Sequence, residues 1–348
     1  MTQNPAPALR EGRRRFCLTL LGVPLAGAAL PSARAAVGQE RRYAIAFANL
    51  TEEPGVTLEG TGFTGAEIRS SFVFAARKLP VDLVFYDNQR DARKAQANAE
   101  DAIARKVDLY VLYCQDPDAN AAIAARLKAA GVPILAVNYP VPGAPLYTVD
   151  NLAAGRIAGE ALGLFAARSW RGQPTVAVIV GPVEAKADRV PERVQGVVEG
   201  LHAKLPGVKP VALDTQGNPA RVGALLGKYL AAHPGVKVLV AATDDATALA
   251  AKSALELAGR ASDAAIASHG VDRNIHGGAN EKKEIDPSNR GSIVIGSVAF
   301  YLDRYGYDVL PLALRMLRGE PVPPRTATRH LLVTASNVFV EYPPYDMN

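Results

Sequence analysis

The stretch that decides the fold is Val107–Asn138, VDLYVLYCQDPDANAAIAARLKAAGVPILAVN. Two apolar runs, VDLYVLY and VPILAVN, flank a segment of helical period. Asp116 opens that segment as a capping residue, and Pro117 follows at the first turn, where a missing N–H is harmless. Gly131 closes it. Near-continuous apolar runs of this kind suit parallel strands covered on both faces, so the stretch reads as strand, helix, strand.

The same alternation extends outward. YAIAFA and VDLVFY read as earlier strands, with helical patterns over 65–78, 90–105 and 117–130. It restarts after Tyr147: NLAAGRIAGEALGLFAARSW is helical, PTVAVIV a strand and RVPERVQGVVEGLHAKL a helix. VKPVAL, ARVGALLGKYLAAH, VKVLVAA, DATALAAKSALELAG and AAIASHG continue the pattern. GSIVIGSV adds a strand, YLDRYGYDVLPLALRMLRGE a helix in which Pro311 predicts a kink or break, and RHLLVTA a last strand. Two such arrays in 348 residues predict an α/β protein of two doubly wound, Rossmann-like domains. Ligands of open α/β sheets sit outside the carboxyl ends of the strands, which points to a cleft where two sets of strand ends meet.

The formal charge of +5 is largely a property of the first 35 residues. GRRRFCLTLLGVPLAGAALPSARA has a basic cluster, an apolar run too short to span a bilayer, and Ala33-Arg34-Ala35. That is the layout of a cleaved secretory signal, and Arg13-Arg14 followed by Arg15-Phe16 has the character of a twin-arginine signal. Cleavage after Ala35 leaves 39 − 5 basic against 34 − 1 acidic residues, a charge of about +1. No basic face for nucleic acid follows from that balance. Cys17 leaves with the leader, so Cys114 is a lone thiol, read as a small buried hydrophobe.

Several chemistries lack their motifs. There is no phosphate-binding G-x-x-x-x-G-K-[ST], no G-x-G-x-x-G after a strand, no G-x-S-x-G elbow and no H-E-x-x-H. In VGPVEAK, Pro182 and Val183 stand where a phosphate loop needs glycines. His269, Asp272, His276 and Glu281 form the densest group of potential metal ligands. Their spacing matches no common signature, and they are read as solvated loop residues. No cofactor, metal or catalytic residue is expected.

What remains is a set of polar and aromatic residues at strand ends: Asn49 and Glu52, Asp87 and Gln89, Tyr113 and Gln115, and Asn138 and Tyr139 in the first array. The second array has Asp188, Arg193, Asp244, Asp245, Asp272, Ser297 and Phe300. Singly each has a plain structural reading: Asp245 as a helix cap, Asp87 as a turn residue, Arg193 on a solvated helix face. Together they put acids, amides and aromatic faces around one cleft, as a small-molecule site requires.

In order and spacing, six segments resemble the periplasmic solute-binding proteins of the ribose/galactose-binding type. They are DNQRDARKAQANAEDAIARKVDLYVLY, AARLKAAGVPILAVN, YTVDNLAAGRIAGEAL, ERVQGVVEGL, TDDATALAAKSALELAG and VPPRTATRHLLVTASNV. The resemblance covers nearly all of the chain after the leader. It implies two lobes joined by three crossings, about 41–148 with 298–332 and 149–297 with 333–348, closing on a solute by hinge motion. It also implies a periplasmic monomer that delivers a sugar or polyol-like solute to the permease subunits of an ABC transporter. A membrane receptor reading the closed form is the first alternative, and an exported enzyme on the same scaffold, for which no catalytic constellation is found, is the second.

By that resemblance Asn49, Tyr113, Gln115, Asn138, Tyr139, Asp188, Arg193, Asp244, Asp272, Ser297 and Phe300 are the expected ligand contacts. Arg193 in ERVQG and Asp272 match a sugar-contacting arginine and acid. Asn138-Tyr139 replaces the family's Asp-Arg, Asp244 stands where Asn is common, and Ser297 where Gln or Asn is common. Asn218-Pro219 stands where an aromatic is often found. The first loop, NLTEEPGVTLEGTGFTG, is longer and lacks the usual aromatic platform. Asn151 matches a family motif and is read as a helix cap. Tyr139 offers one hydroxyl and an apolar face where an arginine would offer a fork. The expected solute is therefore less densely hydroxylated than ribose, or bulkier.

Overall fold

The computed structural model describes residues 41–184, 190–277, 284–285 and 292–343. The expected leader, Asp188 and Glu281 lie outside the described residues. Strands β1 (Tyr43–Asn49), β2 (Val81–Asp87), β3 (Leu109–Leu112), β4 (Ile134–Val137) and β5 (Leu146–Thr148) belong to one sheet. Strands β6 (Thr175–Gly181), β7 (Val211–Asp214), β8 (Lys237–Ala242), β9 (Ala264–Gly270) and β10 (Val294–Ala299) belong to a second. The chain then adds β11 (Arg325–Ala327) to the first sheet and β12 (Leu332–Val333) to the second.

Both sheets are wound alike. The first runs β2-β1-β3-β4-β5-β11 and the second β7-β6-β8-β9-β10-β12. Every pairing is parallel except β10 with β12. In each sheet the order reverses beside the opening strand, at β1/β3 and at β6/β8, and such a switch point opens a crevice at the strands' carboxyl ends.

The helices are α1 (Gly65–Ala76), α2 (Ala92–Ala104), α3 (Pro117–Ala129), α4 (Asn151–Ser169), α5 (Val190–Lys204), α6 (Val222–Ala232), α7 (Asp245–Leu257), the single turn α8 (Arg273–His276), α9 (Tyr305–Leu317) and the single turn α10 (Val338–Glu341). Successive strand residues point to opposite faces, and both faces are covered. Ile45 and Phe47 of β1 pack with Phe72 of α1 and Leu310 of α9, the rings of Phe47 and Phe72 stacking at 4.0 Å. Ala46 and Ala48 of the same strand face Ala95 of α2 and Ile123 of α3. In the second sheet Val178 and Val180 face Leu226 of α6 and Ala251 of α7, while Ala177 and Ile179 face Leu162 of α4 and Val197 of α5.

Helices α4 and α5 approach unusually closely because both present glycines. A Cβ on Gly155 would stand 2.0 Å from the Arg193 carbonyl, and one on Gly196 would stand 2.2 Å from that of Leu152. This seam sets the position of Arg193, one turn into α5.

Some local expectations change. Pro311 does not break its helix: α9 runs through it, with Tyr307, whose carbonyl has lost its partner, exposed on the outer side. The last strand, expected over 329–335, pairs only at Leu332–Val333. The three-residue strands β5 and β11 pair with each other over Leu146–Thr148 and carry too few residues to show a period.

Candidate functional site

The carboxyl ends of the two sheets meet around a cavity of about 450 Å³. Gln115 and Tyr139 reach it from the first sheet, and Asp244, Thr247 and Asp272 from the second. Glu59, Gly60 and Gly62, in the long loop after β1, form one wall. A larger hollow of about 720 Å³ lies beside α3, lined by alanines, prolines and Lys128. It lacks the placed polar groups that orient a solute, so the interior cleft is the better candidate.

On the first side, Asn49 is buried and occupied locally: its amide donates to the Gly65 carbonyl at 2.9 Å and its oxygen accepts the Leu50 N–H. It ties the loop to α1 and does not line the cavity. Tyr113 is fully buried and donates to Glu59 Oε1 at 2.5 Å. Burial, with the Glu59 charge beside it, drives its pKa well above the usual phenol value. Its ring lies nearly parallel to that of Tyr139, centroids 6.1 Å apart. Asn138 is buried with φ 58°, a left-handed conformation that asparagine tolerates better than most residues. Its side-chain oxygen accepts from the Val149 N–H and the Tyr305 hydroxyl, both at 3.3 Å, so it braces the passage out of β5. Of the Asn138-Tyr139 pair, only Tyr139 borders the cavity. Asp87 is the turn residue expected, accepting from the N–H groups of Glu52 and Gln89.

On the second side, Arg193 is not on a solvated face. It is fully buried, with the Phe300 ring 4.5 Å below its guanidinium. It donates to Asn151 Oδ1 at 2.8 Å, to the Glu59 and Gly60 carbonyls at 2.9 Å each, and to the Thr243 carbonyl. The α5 seam brings the guanidinium in beneath the strand ends, on the helix face it shares with the buried Val197 and Leu201, so its charge is paired inside. Asn151 is correspondingly not the cap of α4, which is Asp150, accepting from Ala153 at 3.0 Å. Asp245 is not the cap of α7 either: Asp244 is, with the Thr247 N–H at 2.8 Å. Asp245, one residue on, is turned inward and accepts the hydroxyls of Ser268 and Ser297 and the N–H of Asp272 at 2.6–2.8 Å.

Burial, then the Asp272 charge, holds the Asp245 carboxyl far above the usual range. Asp272 is also raised, mainly by burial, while its Oδ1 caps the short α8 through Asn274 N–H at 2.8 Å. Ser297 is consumed by this network, accepting from Val271 N–H at 3.1 Å. Phe300 is buried between the imidazoles of His269 and His330. His269, which the sequence pattern places in a solvated loop, is instead fully buried at the end of β9. Its Nδ1 donates to the Ala242 carbonyl at 2.8 Å, and burial with the nearby Arg193 charge lowers its pKa to about 3. Among the described residues no group of His, Cys, Asp and Glu could hold a metal ion. Cys114 is a buried free thiol whose pKa burial raises.

Of the expected contacts, the cleft thus gathers Gln115, Tyr139, Asp244 and Asp272 at its surface. Tyr113, Arg193, Ser297 and Phe300 form a buried layer behind it, and Asn49 and Asn138 brace the backbone. Glu59, Gly60, Gly62 and Thr243 were not anticipated. The nearest signal was the Glu59-Gly60 pair between Leu58 and Thr61, a weak two-residue-turn pattern.

Residues 56–321 match the family described as periplasmic binding protein domain, and the chain belongs to that family. No curated protein matches it. Among solved structures, a Mycobacterium smegmatis protein in complex with β-D-fucofuranose shares 20% identity over 88% of this chain and 95% of its own, with a TM-score of 0.61. An ABC transporter periplasmic solute-binding protein of Actinobacillus succinogenes with bound D-allose shares 17% identity over 85% and 99%, with a TM-score of 0.64. The fructose-binding periplasmic domain of a hybrid two-component system shares 19% identity over 86% and 93%, with a TM-score of 0.60. At these identities the likeness is one of fold.

Proposed function

We propose that the protein is an exported, non-catalytic solute-binding protein that captures a sugar or polyol-like molecule between its two lobes. It then delivers that solute to the permease subunits of an ABC transporter. The observation that carries the reading is the cavity at two facing switch points, with Gln115 and Tyr139 on one side and Asp244 and Asp272 on the other. Two carboxyl groups and an amide bind hydroxyls, and a tyrosine face covers a C–H patch, without any nucleophile–base pair. Bound D-allose and β-D-fucofuranose in proteins of this fold support a carbohydrate. The lobes are 41–148 with 298–332 and 149–297 with 333–348, and the three passages between the sheets are the hinge. The protein works as a periplasmic monomer after loss of the leader.

Native mass spectrometry of the protein as purified, followed by a thermal-shift screen, tests this. A ligand bound only by the folded state raises the melting temperature by mass action. A bulky or sparsely hydroxylated sugar or cyclitol is expected to stabilise most. Stabilisation by simple pentoses and hexoses alone would overturn the solute preference, and stabilisation by no polyol would overturn the carbohydrate class. Turnover of the stabilising molecule would show an enzyme instead. The second reading is a sensor, favoured by one observation, the two-component system domain of the same fold. Stimulation of a reconstituted transporter ATPase by the liganded protein separates transport from sensing.

A further inference from the structure

The long loop after β1 is an ordered hairpin that fills part of the cleft. Thr57 and Thr64 pair as an antiparallel bridge, Leu58 N–H donates to Phe63 at 2.8 Å, and Thr61 N–H closes the tip on Leu58 at 3.0 Å. Leu58 and Phe63 are buried and join the arms to the apolar cluster that contains Ile45 and Phe47 of β1. The tip residues Glu59 and Gly60 both have positive φ, 54° and 60°. For glutamate that conformation is unfavourable, and it persists where surrounding contacts over-determine it.

Such contacts surround the tip. The Glu59 and Gly60 carbonyls each take a donor of Arg193 at 2.9 Å, while the Glu59 carboxylate takes the Tyr113 hydroxyl. Two neighbouring oxygens accepting from one guanidinium is the arrangement that a sugar diol would offer. Gly62 lies so close to Asp272 that a Cβ there would stand 1.7 Å from Oδ2. The open part of the cleft ends on this tip, with Arg193 directly behind it.

We propose that the Thr57–Thr64 hairpin is a built-in occupant of the cleft. In the solute-free protein it fastens the first lobe to Arg193 and Asp272 of the second. A polyol reaches Arg193 only when the hairpin withdraws. This rests on the reading of the cleft as the solute site, and it makes binding an exchange of one set of oxygens for another.

Gly62→Val tests it, because a branched side chain has no room against Asp272 and lifts the tip while leaving Arg193 and Tyr113 intact. Gly62→Ala is the milder companion should the valine variant fold poorly. Phenylglyoxal labelling, read by peptide mass spectrometry, reports access to Arg193 without any sugar. Arg193 in the wild type is expected to resist labelling, and in the variants to label at least tenfold faster. Amide exchange over 57–64 should accelerate in parallel, with β8 and β9 as protected as before. Ready labelling of the wild type, or continued resistance in a folded variant with a freed hairpin, would overturn the proposal. A second arm adds D-allose, D-fructose and myo-inositol. A sugar that binds should speed exchange of the wild-type hairpin and bind the variants more tightly. If one binds while the hairpin stays protected, the occupant is refuted and the solute site stands. If none binds even a variant whose Arg193 labels freely, the carbohydrate reading falls and the occupant stands.

Discussion

The two sets of strand ends that face each other across the cleft are built differently, although the sheets behind them share one strand order. On the second side the polar groups are locked together. Arg193 is fully paired, and Asp245 collects Ser268, Ser297 and Asp272 in a layer closed to solvent. On the first side Gln115 is exposed, Tyr139 half-buried, and the hairpin is held to the far side through its tip. A rigid half with satisfied charges meets a half that brings loops and aromatic faces. The few polar groups at the cavity surface rest on that buried layer, which holds them in place.

The sharpest way to break that contrast is to empty the rigid half. Arg193→Ala strands the carbonyls of Glu59, Gly60 and Thr243 and the Asn151 oxygen in a buried site. Unsatisfied buried acceptors and a lost guanidinium should cost about 3–5 kcal/mol, read as a lower denaturation midpoint. Arg193→Lys should recover little of it, since a single ammonium cannot serve acceptors spread around a fork. A loss below about 1 kcal/mol would mean that this half is not rigidly organised.

Next in size is an acid effect from the same layer. His269 has a folded pKa of about 3 against an ordinary value of 6.5. Below 6.5 the unfolded chain takes up a proton that the folded protein refuses, so stability falls as pH drops through that window. Between pH 7 and pH 4 this amounts to about 3 kcal/mol. His269→Gln should flatten that part of the stability–pH curve in urea titrations. Asp245 acts in the opposite direction: its raised pKa means its contribution is complete at low pH and is lost as pH rises above the ordinary carboxylate value. An unchanged acid slope in His269→Gln would show that the imidazole is accessible to protons in the folded state.

The first half should respond less. Tyr113→Phe removes one hydrogen bond, to Glu59, and costs about 1–2 kcal/mol, leaving the two backbone bonds of the tip to Arg193 in place. A cost as large as that of Arg193→Ala would erase the difference between the two sides.

The fold was legible because buried parallel strands announce themselves as apolar runs and the helices between them carry caps, as Asp116-Pro117 and Gly131 do. The three-residue strands β5 and β11 were not, since two or three residues have no period to read. At the site, residue type and place after a strand were enough to mark Gln115, Tyr139, Asp244 and Asp272. They were not enough for direction. A register difference of one residue separates the cap Asp244 from the core acid Asp245. Likewise Asp150 caps α4, while Asn151, next to it, is drawn to Arg193. The hairpin was hidden for another reason: its position depends on contacts with residues more than a hundred positions away, which no local pattern encodes.

Asp244 offers the finest test, because its two duties can be separated chemically. One oxygen caps α7 through Thr247 N–H, the other accepts the hydroxyls of Thr243 and Thr247, and the residue also borders the cavity. Asparagine caps a helix about as well as aspartate, so Asp244→Asn should change stability by no more than about 0.5 kcal/mol, whereas Asp244→Ala should cost about 1 kcal/mol. A carboxylate accepts two hydroxyls where an amide oxygen accepts with one end only. If Asp244 grips a solute, Asp244→Asn should weaken binding severalfold with the melting temperature of the empty protein nearly unchanged. Equal affinity in wild type and Asp244→Asn would confine Asp244 to the helix cap and leave Asp272 as the acid that the second lobe presents to a ligand.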